Sequence, residues 1–148
     1  MKRKWIFLLI LFLLLALLLF PGSSDYLSVI EANWELSFPE NAGWVLAYQT
    51  DSGPSPHGDG WRYHVYHYRQ ENAVAAMLPW SRDTGTTVFS ESYADACESW
   101  LDEISVPADW RPDYESCQVY YAVQKDNSQL LIWWNPSDMR ISVAEFFI

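Results

Sequence analysis

Positive charge is scarce in this 148-residue chain once its first residues are set aside. Lysine occurs at Lys2, Lys4 and Lys125, and only the last lies beyond the N-terminal segment. Removing residues 1–24 lowers the basic residues from nine to six and leaves all nineteen acidic ones, a formal charge of −13 on the remaining 124 residues. Nucleic acid and anionic lipid surfaces both need clustered Lys and Arg to neutralise phosphate, so neither suits this part of the chain as a partner. Cysteine is nearly as rare. Cys97 and Cys117 are the only two, and none stands near the end of the hydrophobic N-terminal run, which excludes a lipoprotein anchor. Linkers, repeats and low-complexity tracts are missing as well, so the residues after 24 read as one domain large enough to bury a core. No nucleophile or oxyanion-hole signature names a reaction, and the sequence leans away from an enzyme.

What is present begins at the N-terminus. Lys2-Arg3-Lys4 precedes sixteen uninterrupted apolar residues, Trp5 to Phe20, and Pro21-Gly22 ends the run. A basic cluster resists translocation and an uncharged apolar run partitions into lipid. The expected placement is therefore a cytoplasmic N-terminus, residues 5–20 in a bacterial cell membrane, and residues 25–148 outside. At 1.5 Å per residue the run reaches roughly 24 Å as a helix, longer than a usual signal-peptide core and short of a comfortable span. Gly22 and Ser24 suit the −3 and −1 positions of signal peptidase, which leaves secretion after cleavage near Ser24 as the alternative. The reading adopted is an uncleaved single-pass anchor with some bilayer thinning. The acidity of residues 25–148 then serves solubility outside the cell.

The rest of the chain predicts an α+β domain of two layers, an antiparallel sheet of about five strands with helices on one face. A short helix is expected over Asp25–Trp34, packing Tyr26, Leu27 and Ile30. Strands follow over Gly43–Thr50 and Trp61–Tyr68, both rich in aromatic and β-branched residues. A longer helix begins near Ser90 as N-cap. Its stripe Tyr93, Cys97, Trp100, Leu101 and Ile104 has helical spacing, and Pro107 ends it. A meander of Cys117–Gln124, Gln129–Asn135 and Arg140–Phe147 completes the domain, with tight turns at Lys125–Ser128 and Pro136–Asp138.

The segment Asp51-Ser52-Gly53-Pro54-Ser55-Pro56-His57-Gly58-Asp59-Gly60 carries the densest candidate chemistry. It reads first as a hairpin loop in which Gly58 and Gly60 adopt positive φ and Asp59 bonds neighbouring amides. Its second reading makes Asp51, His57 and Asp59 ligands of zinc or a similar ion, since imidazole and carboxylate together suit such a metal. No other cofactor is expected. His64 and His67, three residues apart along a strand, face opposite ways, so at most one can join His57. A weaker variant pairs Asp59 with a histidine for acid–base work.

The run of helix, Phe38-Pro39, aromatic strand, Asp51-Ser52-Gly53, His57-Gly58-Asp59-Gly60 and a second aromatic strand resembles small uncharacterised bacterial single-pass membrane or exported proteins. The likeness covers residues 25–70 and, more loosely, 110–148, where Trp110-Arg111-Pro112 and Tyr120-Tyr121 take part. Pro54-Ser55-Pro56 departs from that pattern, which has glycine and an aromatic there. The resemblance implies an anchored or exported α+β protein and no particular activity.

Aromatic residues make up 21 of the 124 residues after Ser24, enough to supply both faces of a sheet. Tyr66, Tyr68, Tyr120 and Trp133 are the candidates for an exposed patch that stacks on sugar rings or meets a protein. The alternative is a second small core under the loops. Cys97 and Cys117, outside the cell, are expected to form a disulfide closing about twenty residues and contributing roughly 3 kcal/mol.

Three functions remain. The first is a non-catalytic binding or assembly module at the bacterial cell surface, using an aromatic face or a sheet edge against a protein or cell-wall glycan. The second is a metal-binding protein or metal-dependent hydrolase built on Asp51, His57 and Asp59. The third is a structural membrane accessory. Intact mass of the chain from the membrane fraction tests the address. It should match residues 1–148 less two hydrogens, whereas a mass starting at Asp25 or two free thiols would contradict the anchor or the bridge respectively.

Overall fold

The computed structural model describes residues 26–55, 57–80 and 87–148, with side chains of the long helix from Ser92 onward. The apolar run 5–20 and the cleavage region 21–24 lie outside the described residues, as do Asp25 and Pro56. No helix among the described residues is long and apolar enough to cross a membrane. Contacts divide the chain between Leu36 and Ser37. On the N-terminal side, α1 (Tyr26–Trp34) buries Ile30 and Trp34, one turn apart. It closes with Glu35 at φ 54° and a bond from Leu36 N to Glu31 O of 3.3 Å, a Schellman stop built without glycine.

The C-terminal part holds β1 (Val45–Asp51), β2 (Gly60–His67), α2 (Glu71–Ala75), α3 (Thr87–Glu103), β3 (Gln118–Val123), β4 (Gln129–Asn135) and β5 (Arg140–Phe147). Single 3-10 turns precede β1 at Glu40–Ala42 and follow α3 at Ala108–Trp110. All five strands join one antiparallel sheet in the order β1-β2-β5-β4-β3. The meander β3-β4-β5 is the one expected from sequence, and β2 then pairs with the free side of β5 over eight residues, from Gly60↔Phe147 to His67↔Arg140.

Strand alternation assigns the two faces. Tyr63, Val65, Val119, Leu131, Trp133 and Ala144 point to one side and pack on Cys97 and Leu101 of α3 and on Val106. The predicted stripe is intact, with Tyr93, Trp100 and Ile104 packed against the same cluster. Leu101 is fully buried. Removing such a side chain from water contributes about 2–3 kcal/mol.

One expectation is corrected and one alternative is decided. The long helix starts at Thr87 rather than at Ser90, so Ser90 lies inside it. Nothing in Thr87-Val88-Phe89 breaks a helix, and each added residue gains a hydrogen bond. The alternative concerns the opposite face: of the two readings, an exposed aromatic patch or a second core under the loops, the structure shows the latter. Trp80, just after α2, lies 5.2 Å from Trp134, and its indole donates to Val74 O at 2.9 Å. Phe38, Trp44 and Tyr68 continue this aromatic chain at centroid distances of 5.6 and 6.1 Å, and Trp134 Nε1 donates to Tyr68 Oη at 2.7 Å. The alanine-rich α2 is absent from the sequence expectations.

Arg111 fastens the end of α3. Its guanidinium pairs with Glu98 and, at 2.7 Å, with Asp102, while its Nε donates to Val106 O at 3.0 Å. Tyr114 Oη donates to the same Glu98 at 2.7 Å, Tyr63 Oη donates to Trp110 O at 2.6 Å, and Arg140 donates to Arg111 O at 2.7 Å. The helix itself ends before Pro107. Val106 N bonds Leu101 O and Ser105 N bonds Asp102 O, with Ser105 at φ 53°. This is a Schellman stop whose hydrophobic contact is Val106 with Leu101 in the core. A non-glycine residue there carries a steric cost of about 1 kcal/mol, so Ser105→Gly should raise stability by about that much. Chemical denaturation checks it; an unchanged or lower midpoint would contradict the left-handed stop.

Candidate functional site

The loop between β1 and β2 is drawn shut at its base. Ser52 N donates to Trp61 O at 2.9 Å, and Trp61 N donates to Ser52 Oγ at 3.1 Å. Gly60 permits this closure: it holds φ 133°, and a Cβ there would fall 2.1 Å from Ser52 Oγ. Gly58 also has positive φ, as expected. The carboxylate that meets a neighbouring amide is Asp51, whose Oδ1 accepts from Gly53 N at 2.7 Å, rather than Asp59.

Above this base the loop encloses an open cleft of about 330 Å³, lined by Asp51, Asp59, Trp61 and Arg62 among others. His57 is exposed and does not line it. Asp51 and Asp59 therefore share a cleft from which His57 is absent. Among the described residues no group of three or more His, Cys, Asp or Glu is placed to hold a metal ion. Arg62 stands between Asp51 and Glu145 in the cross-strand register, with opposite charges on either side, and its guanidinium carbon lies 4.5 Å over the Phe147 ring.

His64 and His67 fall on opposite faces of β2, as the spacing requires. His67 is exposed at the strand end. His64 is buried at 5% exposure, and its ring stacks on Tyr66 at 6.2 Å. Burial, helped by the nearby charge of Arg62 and opposed by Asp51, lowers its pKa to about 4.

Cys97 is fully buried on α3, and Cys117, just before β3, packs against the same cluster. Both are thiols in this structure. Burial pushes each up to about 12, so neither is a nucleophile at neutral pH.

The four aromatic candidates do not form one exposed patch. Tyr66, Tyr68 and Trp133 are buried, at 4, 3 and 2% exposure, and only Tyr120 is half-buried. Trp133 lies on the α3 side, edge-on to Tyr114 at 4.7 Å, while Tyr66 lies on the other. Both faces of the sheet are covered, so these rings are core on two sides.

The feature that sequence reading left unresolved is which edge of the sheet stays open. β1 forms one edge, and a bulge between Leu46 and Tyr48 breaks its register. β3 forms the other, six residues with no proline, charge or bulge. The β3–β4 turn fixes where its backbone points. Gln124 N donates to Ser128 O at 2.9 Å and Asn127 N donates to Gln124 O at 3.0 Å, with Asn127 at φ 70°: a type I turn with a bulge. Gln124 is thus bonded across the hairpin, and alternate residues turn outward, so Tyr121 and Val123 direct N–H and C=O away from β4. Those groups meet no backbone partner among the described residues. Val123 is also among the few exposed large apolar residues, at 56%.

Comparison with known families, curated proteins and solved structures gives no match.

His64 yields a measurable pH dependence. Its folded pKa lies below the unfolded value of 6.5, so the unfolded chain binds more protons between pH 6.5 and about 4. The stabilisation is complete above pH 6.5 and is lost as pH falls toward 4, at most about 3 kcal/mol. Denaturant midpoints of His64→Gln should fall less steeply than wild type across that window; parallel curves would contradict the assignment.

Proposed function

We propose that this chain is a membrane-anchored, extracytoplasmic protein of the bacterial cell surface whose domain acts as a non-catalytic assembly module, taking up a strand of a protein partner along β3. The observation that carries this reading is the pair of outward peptide groups at Tyr121 and Val123 on an edge without the usual devices that block pairing. Strand addition draws affinity from main-chain hydrogen bonds and specificity from alternate side chains, and here Val123 offers exposed apolar surface beside the open groups. The anchor is supported by Lys2-Arg3-Lys4 followed by the apolar run to Phe20, and by the resemblance carried by His57-Gly58-Asp59-Gly60. Outside the cell, a thiol–disulfide oxidant can take two electrons and two protons from Cys97 and Cys117. Their shared packing on one cluster supports a bridge from α3 to the foot of β3.

A photoreactive residue at the exposed turn position Lys125, in the full-length chain in membranes, should give a discrete protein adduct. Adding Val123→Pro should abolish that adduct and leave the circular dichroism unchanged, because proline at an outward edge position removes no internal hydrogen bond. An adduct that survives Val123→Pro, or none from the folded wild-type background, would remove the strand-addition reading.

A further inference from the structure

We infer that the bridge between Cys97 and Cys117 is made while the C-terminal strands are still crossing the membrane, before α3 docks on the sheet, and that the folded domain is closed to thiol–disulfide exchange. The inference rests on the reading of residues 25–148 as extracytoplasmic and of the two cysteines as a pair, and adds when that pair closes. Cys97 is fully buried on α3. Tyr114 and Trp133, edge-on to each other at 4.7 Å, stand beside its sulfur, and Leu101 and Val106 belong to the same cluster. Exchange needs a thiolate in line with a disulfide sulfur and room for the thiol that leaves on the far side. A sulfur without exposed surface offers no such approach, so α3 has to leave the sheet first. Burial also pushes both thiols up to about 12. The attacking thiolate is therefore on the order of a thousandfold scarcer in the folded domain than in an extended chain.

Chain order supplies the interval. With the N-terminus cytoplasmic, the residues beyond the apolar run cross in sequence, so Cys97 and Cys117 emerge before β4 and β5. The cluster that buries Cys97 takes Leu131 and Trp133 from β4 and Ala144 from β5. β5 is also the strand that joins β2 to the meander. Until these strands arrive, the sheet beneath α3 does not exist and nothing covers the sulfur. Both thiols are then outside, open to an oxidant and of ordinary acidity. They stand about twenty residues apart, a separation that a flexible chain closes in microseconds or less. The step balances with a disulfide of the oxidant as acceptor. Cys97 and Cys117 each give up a proton and an electron, one S–S bond replaces two S–H bonds, and the oxidant leaves as two thiols.

The test follows oxidation of the reduced full-length chain in detergent micelles by glutathione disulfide, read as the loss of two hydrogens from the intact mass after acid quenching. Oxidant added to the chain unfolded in urea should close the bridge within minutes. Added after refolding, it should act at least about a thousandfold more slowly, because only the small fraction of chains with α3 off the sheet can react. Leu101→Ala loosens α3 and should speed that slow reaction by about a hundredfold. Ser105→Gly tightens the end of the same helix and should slow it about fivefold, which keeps the test open if Leu101→Ala does not fold. A folded wild type that oxidises at the urea rate, or a slow rate that neither variant moves, would overturn the inference and keep the bridge. No bridge even in urea would remove the pair itself and the timing with it.

Discussion

The eight-residue antiparallel pairing of β2 with β5 is the constraint from which the rest of the domain takes its position, because it joins the N-terminal hairpin to the C-terminal meander. It places Tyr63 and Val65 beside Ala144 under α3, and His64 and Tyr66 beside Val143 and Glu145 on the other side. A shift of one residue would exchange these sets and drive His64 and Glu145 into the α3 cluster, so the register is held by burial on both faces. It also closes the longest loop in the fold, more than seventy residues from β2 to β5, so it is the pairing with the greatest entropic cost. The aromatic content makes sense in that light. The face of the sheet away from α3 is covered by short elements, and rings such as Trp44, Trp80 and Trp134 span the gaps that α2 and the 3-10 turn before β1 leave there.

Much of this was legible from local pattern. Aromatic and β-branched content together with the turn residues located all five strands to within a few residues, and the spacing of Tyr93, Cys97, Trp100, Leu101 and Ile104 identified the buried side of α3. Turn chemistry was legible too, since Asn127 tolerates the left-handed conformation that its hairpin needs. Cover was harder to read. Alternation within single strands did not separate Tyr66 from Trp133, which only the cross-strand register puts on opposite faces, and it does not say whether either face is exposed, because that depends on where Trp80 and Tyr114 return in space. The loop residues Asp51, His57 and Asp59 show the same limit. Their chemistry suits a metal, but whether three donors converge depends on the backbone path, and here Asp51 turns inward to Gly53 while His57 stays outside the cleft.

The open edge could not be read from β3 alone. Its composition marks it as a strand, and nothing in Gln118–Val123 tells whether a neighbour lies on its far side. That follows only from the strand order, which sends β2 to the other end of the meander. Arg111 belongs to the same class. It lies beyond Pro107, which ends the helix, and its role in tying Glu98, Asp102 and Val106 together depends on the chain folding back across the end of α3.

The bulge between Leu46 and Tyr48 in β1 has a meaning for assembly size. A sheet with two smooth edges can add neighbours at both ends without limit, which is the geometry of a growing fibre. This one has a broken ladder at one end and an unbroken ladder at the other. Two such sheets joined through their unbroken ends would leave only broken ones facing outward, so addition along the sheet would stop at two chains.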